Sequence, residues 1–364
     1  MIKSTMANIG AGVILVASLA ACGDRTLTVN SQSIAVTHSN LGYKVYDALA
    51  MAVERGEFQT AADFSEGLAL VQVQNQYVYI DREGEIALRP DLDGHSGVAS
   101  FSEGLALLRL NDLYGYIDKT GNITIPPRFS SGGSFSEGLA HVRVNERNGY
   151  IDQAGEYAIA LQYESAGSFA EGLAPVRAAG KFGYVDKAGA WVIPPSFDST
   201  LGFSEGLAQV QRDQQQGYIN KTGAIAIPLQ FDGAFQFAGG RARVRQGASW
   251  NFIDRDGQRI AASGFDWAAD FDSDRALVRR GQNWGYINPA GEVAIALQYR
   301  FASDFSEGLA AVQVENRWGY IDPAGQITIL PQFDEAGPFR EGRARVRLGD
   351  RWRYITPTGA FLGQ

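Results

Sequence analysis

The sequence predicts an all-β protein, a tandem array of nine antiparallel β-meander units of about 34 residues each, preceded by one short helix. Three observations carry this expectation. Phe-Ser-Glu-Gly-Leu-Ala begins at Phe64, Phe101, Phe135, Phe203 and Phe305, with close variants at Phe169, Phe237, Phe271 and Phe339; after a first step of 37 residues, the remaining seven steps are 34 each. A second anchor, Tyr-Ile-Asp or a near relative, keeps the same phase at Tyr79, Tyr116, Tyr150, Tyr184, Tyr218, Phe252, Tyr286, Tyr320 and Tyr354. The composition, with 43 Gly, 20 Phe and 15 Tyr in 364 residues, is that of a turn-rich β chain. A fixed period that keeps two anchors in phase marks a repeat architecture, in which a unit too small to bury its own apolar face stacks on its neighbours.

The N-terminal segment has a different character. Lys3 is the only charge before the apolar stretch Ile9 to Ala21, which is short for a bilayer span and ends in small residues, as a secretory signal does. Leu19-Ala20-Ala21-Cys22 resembles the lipobox of bacterial lipoproteins in full. The resemblance implies a signal peptide over 1–21, lipidation of Cys22 and attachment to a membrane by several acyl chains, which hold where one chain binds only marginally. Gly23 rather than Asp follows the cysteine, which in that family points to the outer membrane, facing the periplasm. Cleavage removes Lys3 and leaves 31 basic against 40 acidic residues. Residues 22–40, rich in Ser, Thr and Asn, read as a tether, within which Thr26 to Val29 and Ile34 to Val36 could form strands. Leu41 to Phe58 is patterned as an amphipathic helix, with Val45, Leu49, Ala52 and Val53 on one face and Gly56 near its end, suited to cap the first unit and cover its open edge.

The repeats fill 59–364. In the third unit Ala140, Val142 and Val144 alternate with His141 and Arg143, the period-two pattern of a strand with one buried face. A polar turn over Asn145 to Asn148, a strand at Tyr150-Ile151-Asp152, a turn closed by Gly155 and a third strand around Ala158 to Ala160 complete a meander, with a short fourth segment at the recurring Phe/Tyr-Asp. Proline often ends the third strand, as at Pro126-Pro127 and Pro194-Pro195, where it suits an edge. The first strand keeps Arg or Gln on its outward face in every unit, which favours an open or ring-like β-solenoid; a closed β-propeller, burying both faces of each blade, is the alternative. Trp284-Gly285-Tyr286-Ile287-Asn288 and Trp318-Gly319-Tyr320-Ile321-Asp322, each following a Gly-Leu-Ala-type strand, resemble the bacterial WG-repeat family. That resemblance implies binding or scaffolding modules and brings no catalytic residue with it.

One repeated polar pattern supplies the candidate binding face. Three residues after the constant Ala stand only Arg or Gln, including Arg109, Arg143, Arg177, Arg245, Arg279 and Arg347, and these are expected to share a face with Tyr116, Tyr150, Tyr184, Tyr218, Tyr286 and Tyr320 and with the Asp that follows each tyrosine strand. Such a face either stabilises the sheet by stacking guanidinium on tyrosine or lines a groove for glycan, peptide or an anionic polymer. Glu66, Glu103, Glu137, Glu171, Glu205, Glu307 and Glu341 recur in turns and read as turn residues, since seven equivalent general acids serve no mechanism. One Cys and three His leave no disulfide framework and little material for a metal site, and a net charge of −8 argues against nucleic acid. No nucleophile elbow, phosphate loop or zinc-protease motif occurs, so neither enzyme nor cofactor is expected. The functional expectation is a membrane-anchored cell-envelope lipoprotein acting as a scaffold for envelope proteins. The alternatives are a carbohydrate or peptidoglycan binder and a hydrolase with a composite carboxylate site.

Overall fold

The computed structural model describes residues 49–50, 53–90, 97–260, 264–272 and 274–363 with their side chains, and only the backbone of the strands and helical residues at 4–9, 13–18, 25–29, 32–39, 42–48 and 51–52. The chain divides into two units, Met1–Arg55 and Gly56–Gln364. In the first, Ser4–Ile9 pairs with Val13–Ser18, and Arg25–Val29, Gln32–Ser39 and Gly42–Asp47 form a three-stranded sheet. The helix expected over 41–58 spans only Ala48–Glu54. Gly42–Asp47 ahead of it is extended, in keeping with the strand preference of Tyr43, Val45 and Tyr46. Cys22 lies outside the described residues.

The second unit is all-β: nine antiparallel blades follow one another around a closed ring. The third blade shows the plan. Ser131–Gly132, Ala140–Val144, Arg147–Ile151 and Tyr157–Tyr163 are hydrogen-bonded in chain order. Val144 pairs with Arg147, so the turn expected over four residues is a two-residue loop. Asn145 and Glu146 both take positive φ, 45° and 64°, the geometry whose twist matches that of the flanking strands. The next turn is built by Asp152, whose carboxylate accepts from the N–H of Ala154 and Glu156 at 3.0 and 2.9 Å. Asp118, Asp186, Asn220, Asp254, Asn288 and Asp322 repeat this bond pair. The Asp of Tyr-Ile-Asp is therefore a turn former, as Asx side chains often are.

The glycine that precedes each tyrosine has a steric cause. In six blades the fourth strand runs seven residues, Ile123–Phe129, Tyr157–Tyr163, Trp191–Phe197, Ile225–Phe231, Val293–Tyr299 and Ile327–Phe333. It bulges across Gly115, Gly149, Gly183, Gly217, Gly285 and Gly319, where an added Cβ would come within 2.4–2.7 Å of a fourth-strand carbonyl oxygen. The three blades that carry Val78, Asn251 or Arg353 there have no seven-residue fourth strand among the described residues.

Both faces of each blade are buried. Tyr150, Ile159 and Tyr163 of the third blade pack in one cluster with Phe169, Ala174, Val176 and Val185 of the fourth, and the same association recurs around the ring. At all nine junctions the Tyr (or Phe252) of one blade meets the Phe that opens the next motif, at ring-centroid distances of 4.8–5.1 Å. Such aromatic pairs add about 0.5–1.5 kcal/mol each beyond area burial. The ninth junction closes the ring: Tyr354 packs on Phe64, and Phe58 exchanges two backbone hydrogen bonds of 2.9 Å with Trp352. Phe58 thereby takes the place that Tyr299 or Phe333 holds against Trp284 or Trp318 in other blades. Of the closures left open by the sequence, the ring is the closed propeller and not an open solenoid. The outward Arg side chains that favoured the open form, such as Arg109, Arg143, Arg177 and Arg245, are exposed, while the neighbouring blade seals the tyrosine end of the same hairpin face.

Gly149→Ala is expected to cost about 1–3 kcal/mol, the range for overpacking a tight site, read as a lower denaturation midpoint with unchanged slope. A cost below 0.5 kcal/mol would show that the fourth strand can step away from this position.

Candidate functional site

The structure separates the two halves of the expected Arg/Tyr face. Tyr116, Tyr150, Tyr184, Tyr218, Tyr286 and Tyr320 are fully buried between blades, and burial pushes their phenols far above the ordinary range. Each hydroxyl donates across the junction to a backbone carbonyl of the next blade, on Gly133, Gly167, Leu201, Phe235, Ser303 and Gly337, at 2.7–2.8 Å. Tyr79 and Tyr354 do the same to Ala99 and Ala62. Among the described residues these tyrosines form no open ladder.

The arginines lie farther along the same strands, opposite the Trp position and not the tyrosine: Arg109 pairs with Tyr114, Arg143 with Asn148, Arg177 with Phe182, Arg245 with Trp250, Arg279 with Trp284 and Arg347 with Trp352. The guanidinium groups of Arg177, Arg245 and Arg279 stand 5.4–6.0 Å from those aromatic rings. Arg109 and Arg347 pair with Asp112 and Glu335. These are partly or fully exposed contacts that support the hairpin. The one-residue alternation was legible in the sequence. What placed tyrosine and arginine in different surroundings was the two-residue turn and the neighbouring blade.

The repeated glutamates join blades. Glu66, Glu103, Glu137, Glu171, Glu205, Glu307 and Glu341 hold φ of 52–54°, and each accepts from the N–H of the motif glycine one blade on, at 2.8–3.1 Å. The last of these bonds, Gly67 N–H to Glu341, crosses the ring closure. Lys119, Lys187, Lys221 and Arg82 add ion pairs of 2.7–3.2 Å to Glu66, Glu137, Glu171 and Glu341. Partial burial raises the carboxyls of Glu66, Glu171 and Glu341, but these cations and glycine N–H groups together outweigh it and hold them below the ordinary range. Equivalent residues of successive blades meet at this turn, as in Glu341 N–H to Glu307 and Gln236 to Gly202 O, which puts the first strand and its turn at the hub.

Two regions break the repeat's self-sufficiency. At the hub, a cavity of about 420 Å3 is lined by residues of the seventh to ninth blades, among them Asp270, Asp272, Asp304, Phe305 and Arg340. The Asp304 side chain is exposed on the wall of this half-open cavity; the protein crowded around it first, then the carboxylates of Asp270 and Asp272, with Arg243 opposing, raise its carboxyl to about 6. On the fourth strands, equivalent positions present Ile123, Tyr157, Trp191, Ile225, Val293 and Ile327, each 40–53% exposed. Sequence reading missed both regions, although the 34-residue phase of these apolar residues and the Asp at 270 and 304 are visible once the units are aligned. Among the described residues no His/Cys/Asp/Glu group is placed to hold a metal, and no helix is long and apolar enough to cross a membrane.

Comparison with known proteins bears on the family and the fold. The family model described as "WG containing repeat" matches nine consecutive stretches, residues 55–77, 79–114, 114–147, 149–182, 182–214, 217–250, 250–284, 284–318 and 318–352. No curated protein matches the sequence. Among solved structures the chain is similar to dihydro-heme d1 dehydrogenase NirN in complex with DHE, at 12% identity over 77% of this chain and 74% of that one, with a TM-score of 0.44. It is also similar to the WD40 domain of SCAP from fission yeast, at 9% identity over 83% and 95% of the two chains and a TM-score of 0.42. The third is PorZ of the Porphyromonas gingivalis type-IX secretion system, at 11% identity over 93% and 57% and a TM-score of 0.31.

Two substitutions test the roles of the buried polar groups. Tyr286→Phe leaves the Ser303 carbonyl unpaired and is expected to cost about 1–2 kcal/mol in a denaturant melt; Phe252 shows that the ring alone is accommodated at one junction. Glu137→Ala is expected to cost about 1–2 kcal/mol through its lost bonds. Glu137→Gly should be milder by about 1 kcal/mol, because glycine relieves the left-handed backbone. Equal losses for the two Glu137 variants would show that the backbone there is unstrained.

Proposed function

Because the chain belongs to the family of WG-containing repeat proteins, we propose that it is a non-enzymatic scaffold for protein partners, held at the bacterial cell envelope through lipid on Cys22 and facing the periplasm from the outer membrane. The observation that carries this reading is the set of six half-exposed apolar side chains, Ile123, Tyr157, Trp191, Ile225, Val293 and Ile327, at one equivalent position of six blades. Their backbone is held by a ring closed at every junction, so they are preorganised and cost little to immobilise on binding. A partner touching several at once gains avidity from contacts that are individually weak. Leu330, on the same strand of the eighth blade, is a further apolar side chain, 72% exposed.

The lipobox supports the address, and the seven turn glutamates, each spent on a blade junction, support the absence of hydrolytic chemistry. The glycan reading required open tyrosines, and these tyrosines are sealed. Three outcomes are expected. Mass spectrometry of the mature protein should find lipidated Cys22, and Cys22→Ser should leave the membrane fraction. The double variant Trp191→Ser/Ile225→Ser, folded by circular dichroism, should recover at least tenfold less of the proteins captured from solubilised envelope by the wild type. Undiminished capture by that variant, or turnover of an envelope polymer by the purified chain, would overturn the reading.

A further inference from the structure

Seven of the nine blade junctions carry the glutamate-to-glycine bond. The two without it are the sixth-to-seventh and seventh-to-eighth, where the sequence has Gly239 and Ser273 at the glutamate position. The serine that precedes the glutamate, and donates to the next blade's Phe carbonyl at 2.6–2.8 Å in five junctions, is likewise replaced by Ala238 and Asp272. The sixth-to-seventh junction is compensated. Arg243 of the sixth blade pairs with Asp270 at 2.7 Å, donates to Ala268 O at 2.8 Å and lies 3.7 Å from the Phe235 ring centroid.

Asp63 and Asp304 occupy the position of Asp270 in the first and eighth blades. Asp63 likewise receives an arginine from the preceding blade, Arg345 at 2.9 Å. The residue that would serve Asp304 is Leu277, which is buried and apolar. Among the described residues Asp304 has no ion pair, and it shares the hub cavity with Asp270 and Asp272. The contacts described across this junction include the Arg275 bond to Pro323 O at 3.1 Å, the Tyr286 bond to Ser303 O and apolar packing.

We propose that the junction between the seventh and eighth blades is a pH-dependent seam of the ring, loosened when the Asp304 carboxyl is ionised and tightened when it carries a proton. The charged and titratable groups that face Asp304 are Asp270 and Asp272 on the seventh blade, the Arg243 guanidinium, the Tyr286 phenol and, across the cavity, Arg340. Desolvation by the protein around this exposed side chain first, and the two neighbouring carboxylates second, raise the carboxyl from 3.8 to about 6. A carboxyl that holds its proton more tightly in the folded ring than in the unfolded chain stabilises the ring fully below the unfolded value, and that stabilisation is lost as pH rises through the folded one. The seam therefore gains stability on acidification from neutral pH, over a window in which the junction bonds of Glu66, Glu171 and Glu341, whose carboxyls are held low, remain intact.

The test is hydrogen exchange of the full chain at pH 7.5 and 5.0, each corrected for intrinsic rates, following peptides that span Trp267–Ile287 and 303–312 against fourth- and fifth-blade peptides as reference. In the wild type, protection at the seam should rise about tenfold relative to the reference on going to pH 5.0, the effect of about one unit of proton affinity after discounting for water in the cavity. Asp304→Asn should show the high protection at both values. Leu277→Arg, which supplies the guanidinium present at the equivalent sites, should raise protection at pH 7.5 and abolish or reverse the trend, and it serves as the test should Asp304→Asn fail to fold. The proposal is overturned if seam protection in the wild type does not change relative to the reference, or if either folded variant keeps the wild-type trend.

Discussion

The contact between the Phe that opens one motif and the Tyr that closes the preceding strand organises this protein. It recurs at all nine junctions with nearly the same separation, including the pair Phe64 and Tyr354 that joins the two ends of the array. The two sequence anchors are the two halves of this interface, and each is of little use within its own blade. The buried phenol adds direction to the apolar packing, since its hydroxyl must find an acceptor and the next blade provides one at a single register. A blade of about 30 residues has two apolar faces and no means of covering either, so the ring must close or leave one blade face in water at each end. Closure by Phe58 meets that requirement.

Around this contact, departures from the repeat are coupled. Where the fourth strand is complete, glycine lies beneath it; where Val78, Asn251 or Arg353 replaces the glycine, no complete strand is found among the described residues. Where the turn glutamate is absent before the seventh blade, the Arg243–Asp270 pair takes over part of its work. Among the described residues, the following junction combines the missing glutamate with Asp304, a carboxylate without an ion pair. Each exception is legible as a local change in which groups must be satisfied, and together they concentrate the ring's weakness in one sector.

The sealing of the tyrosines moves functional attention to surfaces that the repeats do not consume. A closed ring uses both sheet faces for its own packing, which leaves the outer strands, the connecting turns and the hub. The outer strands carry apolar side chains at regular intervals on a rigid frame. The hub carries a carboxylate cluster that opposes the closure around it. The rim suits multivalent contact, and the hub suits a response to the medium.

From the sequence by itself came the number of units, the alternation of each strand, the all-β class and the absence of the usual catalytic patterns, because these are local and periodic, and period two or period 34 is written along the chain. The turn role of the glutamates was also legible, since seven equivalent copies fit packing and not catalysis. The surroundings of a given polar residue were not. Tyr150 and Arg143 lie on one face of one hairpin, yet the first is sealed and the second is exposed, because the adjacent blade covers one part of the strand and stops short of the other. Likewise Asp63, Asp270 and Asp304 are the same residue in the same phase, and it is the ring that brings Arg345 to the first and Arg243 to the second, while the third faces a blade with Leu277 at the arginine position. Burial and charge pairing between repeats depend on which units touch and how the circle closes, a property of tertiary structure that no single period contains.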